Sequence, residues 1–246
     1  MRVETGDNVL IGGFIVHGTQ SKKVIVRAIG PSVPVPGALA NPILELRDSG
    51  GNLIRSNDDW RLGGQEAEII MTGLQPSNDL ESAIVETLPA NGSAYTAIVR
   101  GVNNGTGVGL VEVYDLNPTV DAKLANISTR GLVQTGDNVM IAGTIVVGPG
   151  SGRVLIRAIG PSVPVPGALG DPTLELRDGN GTLIRENDNW RSDQETDILA
   201  TGLAPTNNLE SAILETLLGN GATYTAIVRG VNNTSGVALV EMYALD

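Results

Sequence analysis

The chain has 246 residues, a formal net charge of −11 and no cysteine. The acidic balance disfavours nucleic acid and anionic membrane as partners, since both need clustered Lys and Arg, and disulfides and thiolate metal sites are excluded outright. No stretch reaches transmembrane length and Met1 is followed by no signal peptide, so membrane insertion is not expected.

In chain order, Asn8 to Val16 (NVLIGGFIV) reads as a strand, with Gly12-Gly13 at a bulge or a close contact. Val24 to Ile29 is a second strand, apolar on both faces apart from Arg27. Gly30 to Gly37 carries three prolines, which remove ladder donors, so it is predicted as an extended crossing loop. Leu44 and Leu46 alternate with Glu45 and Arg47, the period of a half-buried strand. Asp48 and Gly51 bracket a four-residue turn, Asp at the first position and Gly supplying the left-handed residue of a type I turn with a bulge. The returning strand around Leu53 ends in Asn57-Asp58-Asp59-Trp60, an acidic cluster beside one of two tryptophans. Gln65 to Thr72 spaces Ile69, Ile70 and Leu74 like one or two helical turns, and is the one helix expected in this half. Ala83 to Thr87, Ala94 to Arg100 and Val108 to Tyr114 are three further strands, separated by Asn-Gly and Asn-Asn turns.

All of this happens twice. Arg27 to Leu39 is identical to Arg157 to Leu169, and Tyr95 to Asn104 recurs unchanged as Tyr224 to Asn233. The offset is 130 residues, falling to 129 after a one-residue deletion between Trp60 and Ile69. About seven short strands per unit, separated by turns, predict an all-β chain of two tandem antiparallel β-sandwiches, jelly-roll-like. Each unit of roughly 115 residues can bury about two-thirds of its unfolded surface, enough for its own core. The expected division is residues 1–116 for the first repeat, a linker at 117–123, and 124–246 for the second. Leu124-Ala125-Asn126-Ile127-Ser128-Thr129 alternates apolar and polar residues like a strand. Met1 aligns with Gly131, so the chain begins in mid-pattern like a fragment of a longer protein, with one such segment for two units. Either the segment lies in the second unit and leaves the first with an unpaired edge, or it closes the first and leaves the second open. An unpaired edge is a template for strand addition from another chain.

For metal binding, Asp48, Asn57, Asp58 and Asp59 offer the hard oxygen ligands that calcium prefers, and Asp178, Asn187, Asp188 and Asn189 repeat the set one charge poorer. Glu81 and Glu210, in the Leu-Glu-Ser-Ala-Ile motif, are the carboxylates placed to join them. The competing reading is that Asn and Asp cap loop amides through Asx turns. Trp60 and Trp190 are either platforms for stacking a sugar or large side chains plugging one end of each sandwich. Arg27, Arg157, Arg100 and Arg229 either hold a carboxylate ligand or pair with an internal acid. His17 is the sole histidine and its counterpart is Val147, so no His-based catalytic set is repeated with the units. Gly30-Pro31-Ser32-Val33-Pro34 lacks the second glycine of a nucleophile elbow.

The shared pattern TGDNVLIGGFIV, RAIGPS, PGAL, LELRD, NDxW, ESAI, YTAIVRGVNN and VEVY resembles a tandem repeat of large secreted bacterial surface proteins of verrucomicrobial and acidobacterial type. From the LELRD hairpin to the final strand the order of motifs is also similar to the pre-peptidase C-terminal domain, a sandwich appended to secreted hydrolases. The resemblance implies a non-catalytic, secreted or cell-surface module. The leading expectation is a structural or adhesive repeat that self-associates, as a homo-oligomer or filament, or packs on neighbouring repeats. The alternative is an ancillary domain of a secreted hydrolase, binding polysaccharide or protein with or without calcium.

Overall fold

The computed structural model describes residues 1–245. It is all-β, built of antiparallel sheets, and divides into two compact units, Met1–Ile127 and Ser128–Asp246. Among the described residues no helix is long and apolar enough to cross a membrane.

The first unit contains β1 (Arg2–Val3), β2 (Leu10–Gly18), β3 (Lys22–Ile29), β4 (Pro42–Arg47), β5 (Leu53–Asn57), α1 (Glu66–Met71), β6 (Ser82–Leu88), β7 (Asn91–Gly101), β8 (Gly107–Val108) and β9 (Leu110–Asp115). β10 (Ala122–Val133) begins in this unit and ends in the next. Here the strands run β10-β2-β7-β4-β5 in one sheet and β6-β3-β9 in the other, with β1 and β8 as a short pair.

The period-2 pattern explains this packing. Leu10, Phe14 and Val16 of β2, Leu44 and Leu46 of β4, and Ala97 and Val99 of β7 point into one core. Val24, Val26 and Ala28 of β3 meet them from the opposite sheet. Full burial of a large aliphatic or aromatic side chain stabilises by about 1.5–3 kcal/mol, and these positions dominate the unit. The sheets approach closely where Gly12 faces β9: a Cβ there would lie 2.9 Å from Val111. That explains the Gly12-Gly13 pair as a close contact, while the irregularity of β2 falls later, between Ile15 and His17.

β3 is apolar on both faces because a third layer covers its back. Ile25 of β3 packs with Ala83 and Val85 of β6, Ile69 of α1, and Trp60. The helix is one residue shorter at each end than the Gln65–Thr72 pattern predicts. Gln65 is spent otherwise: its Nε2 donates to Val85 O at 2.7 Å and its Oε1 accepts from Val85 N at 3.3 Å. It thus caps a free position on the edge of β6, as Gln194 does at Leu214.

The 48–51 turn is as expected, with Gly51 N donating to Asp48 O at 3.0 Å, Gly51 at φ 79°, and a register shift at Leu46/Arg47. Gly30 opens the proline-rich crossing loop, where a Cβ would sit 2.2 Å from Leu39 O.

The second unit repeats the plan with β11 (Met140–Val146), β12 (Ser151–Ile159), β13 (Pro172–Asp178), β14 (Leu183–Asn187), α2 (Glu195–Ala200), β15 (Ser211–Leu218), β16 (Ala222–Gly230) and β17 (Gly236–Ala244). One sheet runs β11-β16-β13-β14 and the other contains β15-β12-β17, with β10 next to β17. Leu132 of β10 packs on Val237, as β1 pairs with β8 in the first unit.

The division at 127/128 differs from the expected linker at 117–123. Residues 115–121 are instead tied to the β2–β3 hairpin, and strand structure begins at Ala122. The six-residue segment is therefore split, Leu124, Ala125, Asn126 and Ile127 to the first unit and Ser128 and Thr129 to the second.

Candidate functional site: a sheet edge that takes a strand

In the first unit the edge of β2 is occupied. β10 lies beside it, Ala122 and Leu124 pack on the sandwich core, and Asn126 is buried. The residues before the strand are fastened to the β2–β3 hairpin. Thr19 N and Gln20 N donate to Asp121 O at 2.8 and 3.2 Å, and Asp121 N donates to Gln20 Oε1 at 3.1 Å. Lys22, wholly buried, gives its Nζ to Asp115 Oδ2 at 2.8 Å and to Asn117 O at 3.1 Å. Lys23 N donates to Asn117 Oδ1 at 3.1 Å. Gly18 makes the close approach feasible, since a Cβ there would fall 2.3 Å from Asp121 O.

In the second unit the equivalent strand is β11. Among the described residues it pairs with β16 alone and forms the edge of its sheet. The inner positions record the difference. Val16 and Phe14 are 0 % and 1 % exposed, whereas Val146 and Thr144 at the same places are only half-buried. On the outer face Ile141 and Ile145 are 49 % and 52 % exposed. The first unit's stack of Phe14 on Tyr95, with centroids 5.6 Å apart, becomes Thr144 opposite Tyr224.

The residues of the acidic loops take the following places. Asp48 lies in the tight turn, whereas Asn57 pairs with Leu44 at the far end of the hairpin, four residues or about 13 Å away along the strand. Asp48 Oδ1 accepts from Gly50 N and Asn52 N, both at 2.9 Å, and both its oxygens take the Asn52 amide. The Asn52 side chain, and then the backbone amides, hold its carboxyl below the usual range; Asp178 is lowered likewise, first by Thr182 N. Asn57 staples its loop, donating to Asp59 O and Leu62 O and accepting from Ala83 N, and Asn187 accepts from Ala212 N. Asp58 is raised by desolvation and by its neighbour Asp59.

Glu81 does not join that loop with its carboxylate. Wholly buried, it turns to the crossing loop, where Oε1 accepts from Gly30 N at 3.2 Å and Ser32 N at 2.9 Å. Its Oε2 takes Ser32 Oγ at 3.1 Å and Asn78 N at 3.3 Å. Glu210 does the same with Ser162 N and Asn207 N. Of the ten residues proposed as ligands, Asp48 and Asp178 are held in turns and Glu81 and Glu210 serve backbone amides, whereas Asn57, Asp58 and Asp59, like Asn187, Asp188 and Asn189, stay adjacent in their loops. Among the described residues no group of three or more His, Cys, Asp or Glu stands in metal-holding geometry.

Trp60 and Trp190 are 2 % and 1 % exposed, so as stacking platforms they are unavailable. Their indoles plug the third layer and donate to Asn78 O and Asn207 O at 3.2 and 3.1 Å. Arg61 and Arg191 lie over the rings at 4.2 Å. Arg27 and Arg157 pair with Glu112 and Glu241 and donate to Leu74 O and Leu203 O, tying the segment after each helix to its sheet. Burial, then the Glu241 charge and hydrogen bond, push the adjoining Tyr243 up to about 12. Arg100 and Arg229 reach Glu45 and Glu175. Sequence reasoning missed the Glu81 and Gln65 roles and the Lys22 anchor; the thirteen-residue identity around Gly30 and the repeated Leu-Glu-Ser-Ala-Ile motif are the two halves of the Glu81 contact.

No family model matches the chain, and no curated protein matches it. Among solved structures it is similar to the crystal structure of the STIV MCP at 15 % identity and a TM-score of 0.28, covering 99 % of this chain and 90 % of that one. A structure of PNGF-II aligns at 9 % identity and a TM-score of 0.25, covering 98 % and 58 %. The plant receptor-like kinase FER aligns at 11 % identity and a TM-score of 0.25, covering 94 % and 80 %.

Proposed function

We propose that this chain is a non-catalytic structural module of an extracellular repeat array, in which the strand after one sandwich completes that sandwich before leading into the next. One observation carries the reading: the Ala122–Ile127 part of β10 lies beside β2 with Ala122 and Leu124 on the first core, and the same strand then enters the second unit. Within the first unit this segment lies in the ladder beside β2, with Ala122 and Leu124 on the core. The secreted or cell-surface setting rests on the resemblance of the repeated motifs to those of large secreted bacterial surface proteins. Head-to-tail self-association through sheet edges is the assembly this arrangement favours.

The test is Leu124→Asp in the full chain, followed by backbone hydrogen exchange. Faster exchange in β2 and β7, with β13 and β15 unchanged, is the expected result. Unaltered protection of β2 would overturn the role of the segment. Sedimentation across a wide concentration range tests association, and a monomer at every concentration would remove the self-assembling part of the reading.

A further inference from the structure

We infer that Asn104 in the first unit and Asn233 in the second are acceptor sites for an Asn-linked glycan, taken from a sugar activated on a phosphate. The inference rests on the secreted or cell-surface setting proposed above.

Six Asn-x-Ser/Thr tripeptides without proline at the middle place begin at Asn91, Asn104, Asn126, Asn180, Asn232 and Asn233. This is the pattern at which a carboxamide receives a glycan on a surface loop, with the hydroxyl two places on as part of the signal. The structure sorts the six. Asn126 is buried. The Asn91 side chain accepts from Ser93 N at 3.1 Å, inside its own tripeptide. Asn180 and Asn232 are exposed, but their hydroxyls are engaged: Thr182 helps to hold the Asp178 carboxyl down, and Thr234 Oγ1 donates to Val231 O at 2.9 Å. Asn104 and Asn233 are left. Both are exposed, and among the described residues neither carboxamide has a hydrogen-bond partner. Ser235 is exposed, and so is Thr106, whose Oγ1 accepts from Arg2 at 3.4 Å and keeps its own proton free.

The two lie at the same point of the fold. Each ends a three-residue turn, Val102–Asn104 or Val231–Asn233, in which both asparagines hold positive φ. The turns are pinned at their base by Val102 N on Asn41 O at 3.0 Å and Val231 N on Asp171 O at 2.9 Å. The chain then leaves extended through Gly105 (φ −58°, ψ 146°) or Thr234 (φ −75°, ψ 157°). The acceptor nitrogen thus stands in solvent at a fixed corner, where a transferase can reach it in the folded chain. Positive φ accounts for asparagine, which tolerates it better than most residues. It does not account for the hydroxyl. The units differ after the turn, Gly105-Thr106 against Thr234-Ser235, yet each places an exposed hydroxyl two residues beyond the asparagine.

The step is a glycosyl transfer. Asn Nδ2 attacks the anomeric carbon, an N–C bond forms, and the bond from that carbon to the phosphate oxygen breaks. The nucleotide or polyprenyl pyrophosphate leaves with the electron pair, and Nδ2 gives one proton to a base of the transferase.

The experiment takes the full chain, made without glycan, in two arms. One supplies an oligosaccharyltransferase with a polyprenyl-pyrophosphate glycan, the other a soluble N-glycosyltransferase with a nucleotide-activated hexose. Intact mass and peptide mapping read the product. The expected result in at least one arm is a glycan on Asn104 and on Asn233 of the native chain, with the other four asparagines bare; the active arm identifies the donor. Thr106→Val should lose the first glycan alone, Ser235→Ala the second alone, and Thr106→Ser should keep both. A native chain bare at Asn104 and Asn233 in both arms, occupancy that survives Thr106→Val and Ser235→Ala, or modification directed to the other four would each overturn the assignment. None of these outcomes bears on hydrogen exchange in the Leu124→Asp chain, so the two readings fail separately.

Discussion

Asp171 and Asp188 occupy in the second unit the positions that Asn41 and Asp58 occupy in the first, so that a hydrogen-bonded amide–carboxylate pair is replaced by two facing carboxylates. With its amide nitrogen toward the acceptors, Asn41 donates to Asp58 Oδ1 at 3.3 Å and to Leu80 O at 3.1 Å. Asp171 can donate neither bond when ionised, and its Oδ1 is buried without a partner. Burial, and then the Asp188 charge, raise its carboxyl above the usual 3.8.

Asp171→Asn should therefore stabilise the second unit at neutral pH by about 1 kcal/mol, the net worth of a hydrogen bond regained. The sign follows from linkage. A carboxyl raised in the folded state binds its proton more tightly there, so its penalty is absent below pH 3.8 and develops as pH rises through the folded value. Hydrogen exchange of β13 and β15 for wild type and variant, at pH 3.5 and pH 7 (acidic and neutral limits set by about 3.9 for a free Asp), measures this. A variant no more stable than wild type at neutral pH would refute the pair.

The Lys22–Asp115 pair gives a second test. Lys22 is fully buried and Asp115 partly exposed, at 2.8 Å. Asp115→Ala strands a buried ammonium with one carbonyl, and should destabilise the first unit by about 2–3 kcal/mol, discounted for the exposure of Asp115. Lys22→Met keeps the stem and removes the charge, and should cost about 1 kcal/mol or less. In the Lys22→Met background Asp115→Ala should then cost less, keeping only the loss of the bond that Asp115 Oδ1 accepts from Asn117 N at 2.9 Å. Urea unfolding of the four proteins closes the cycle, and additive losses would mean that the pair is uncoupled.

Much of this was legible in the sequence because alternation and turn chemistry are local. The Leu44/Leu46 strand, the Asp48–Gly51 turn and the two-sided apolar β3 all stand where their patterns placed them. What was not legible depends on the third dimension. Nothing in the spacing of Asp48 and Asp58 says that the hairpin keeps them at opposite ends, or that Glu81 faces Gly30 and Ser32 rather than Asn57. Trp60 could be read either way until Ile69 and Ile25 enclosed it. The proline in DLNPTVDAK reads as a linker, yet Lys22 and Thr19 draw that stretch onto the hairpin from about a hundred residues away.

Glu81 sets a third expectation. Its carboxylate serves Gly30 N, Ser32 N and Asn78 N, and Glu81→Ala leaves these amides without a partner at a buried site. The loss should reach about 3 kcal/mol or more, from orphaned donors together with a cavity. Glu81→Gln keeps one acceptor and turns an amide NH2 toward donors, so an intermediate loss is expected. Thermal melts of both variants decide it. A Glu81→Ala protein as stable as wild type would show that solvent satisfies the loop.

The two edges can also be compared through one chemistry at equivalent positions. Val16 is 0 % exposed in the first unit's core, and Val146 is half-buried on the edge strand β11. Removing two methyls from a sealed core position loses transfer free energy and leaves a void, so Val16→Ala should cost about 2 kcal/mol. At Val146 solvent already reaches the side chain, and the same change should cost about half of that or less. Chemical denaturation of the two variants beside wild type reads both losses. Equal losses at the two valines would mean that the burial difference between β2 and β11 carries no energetic weight.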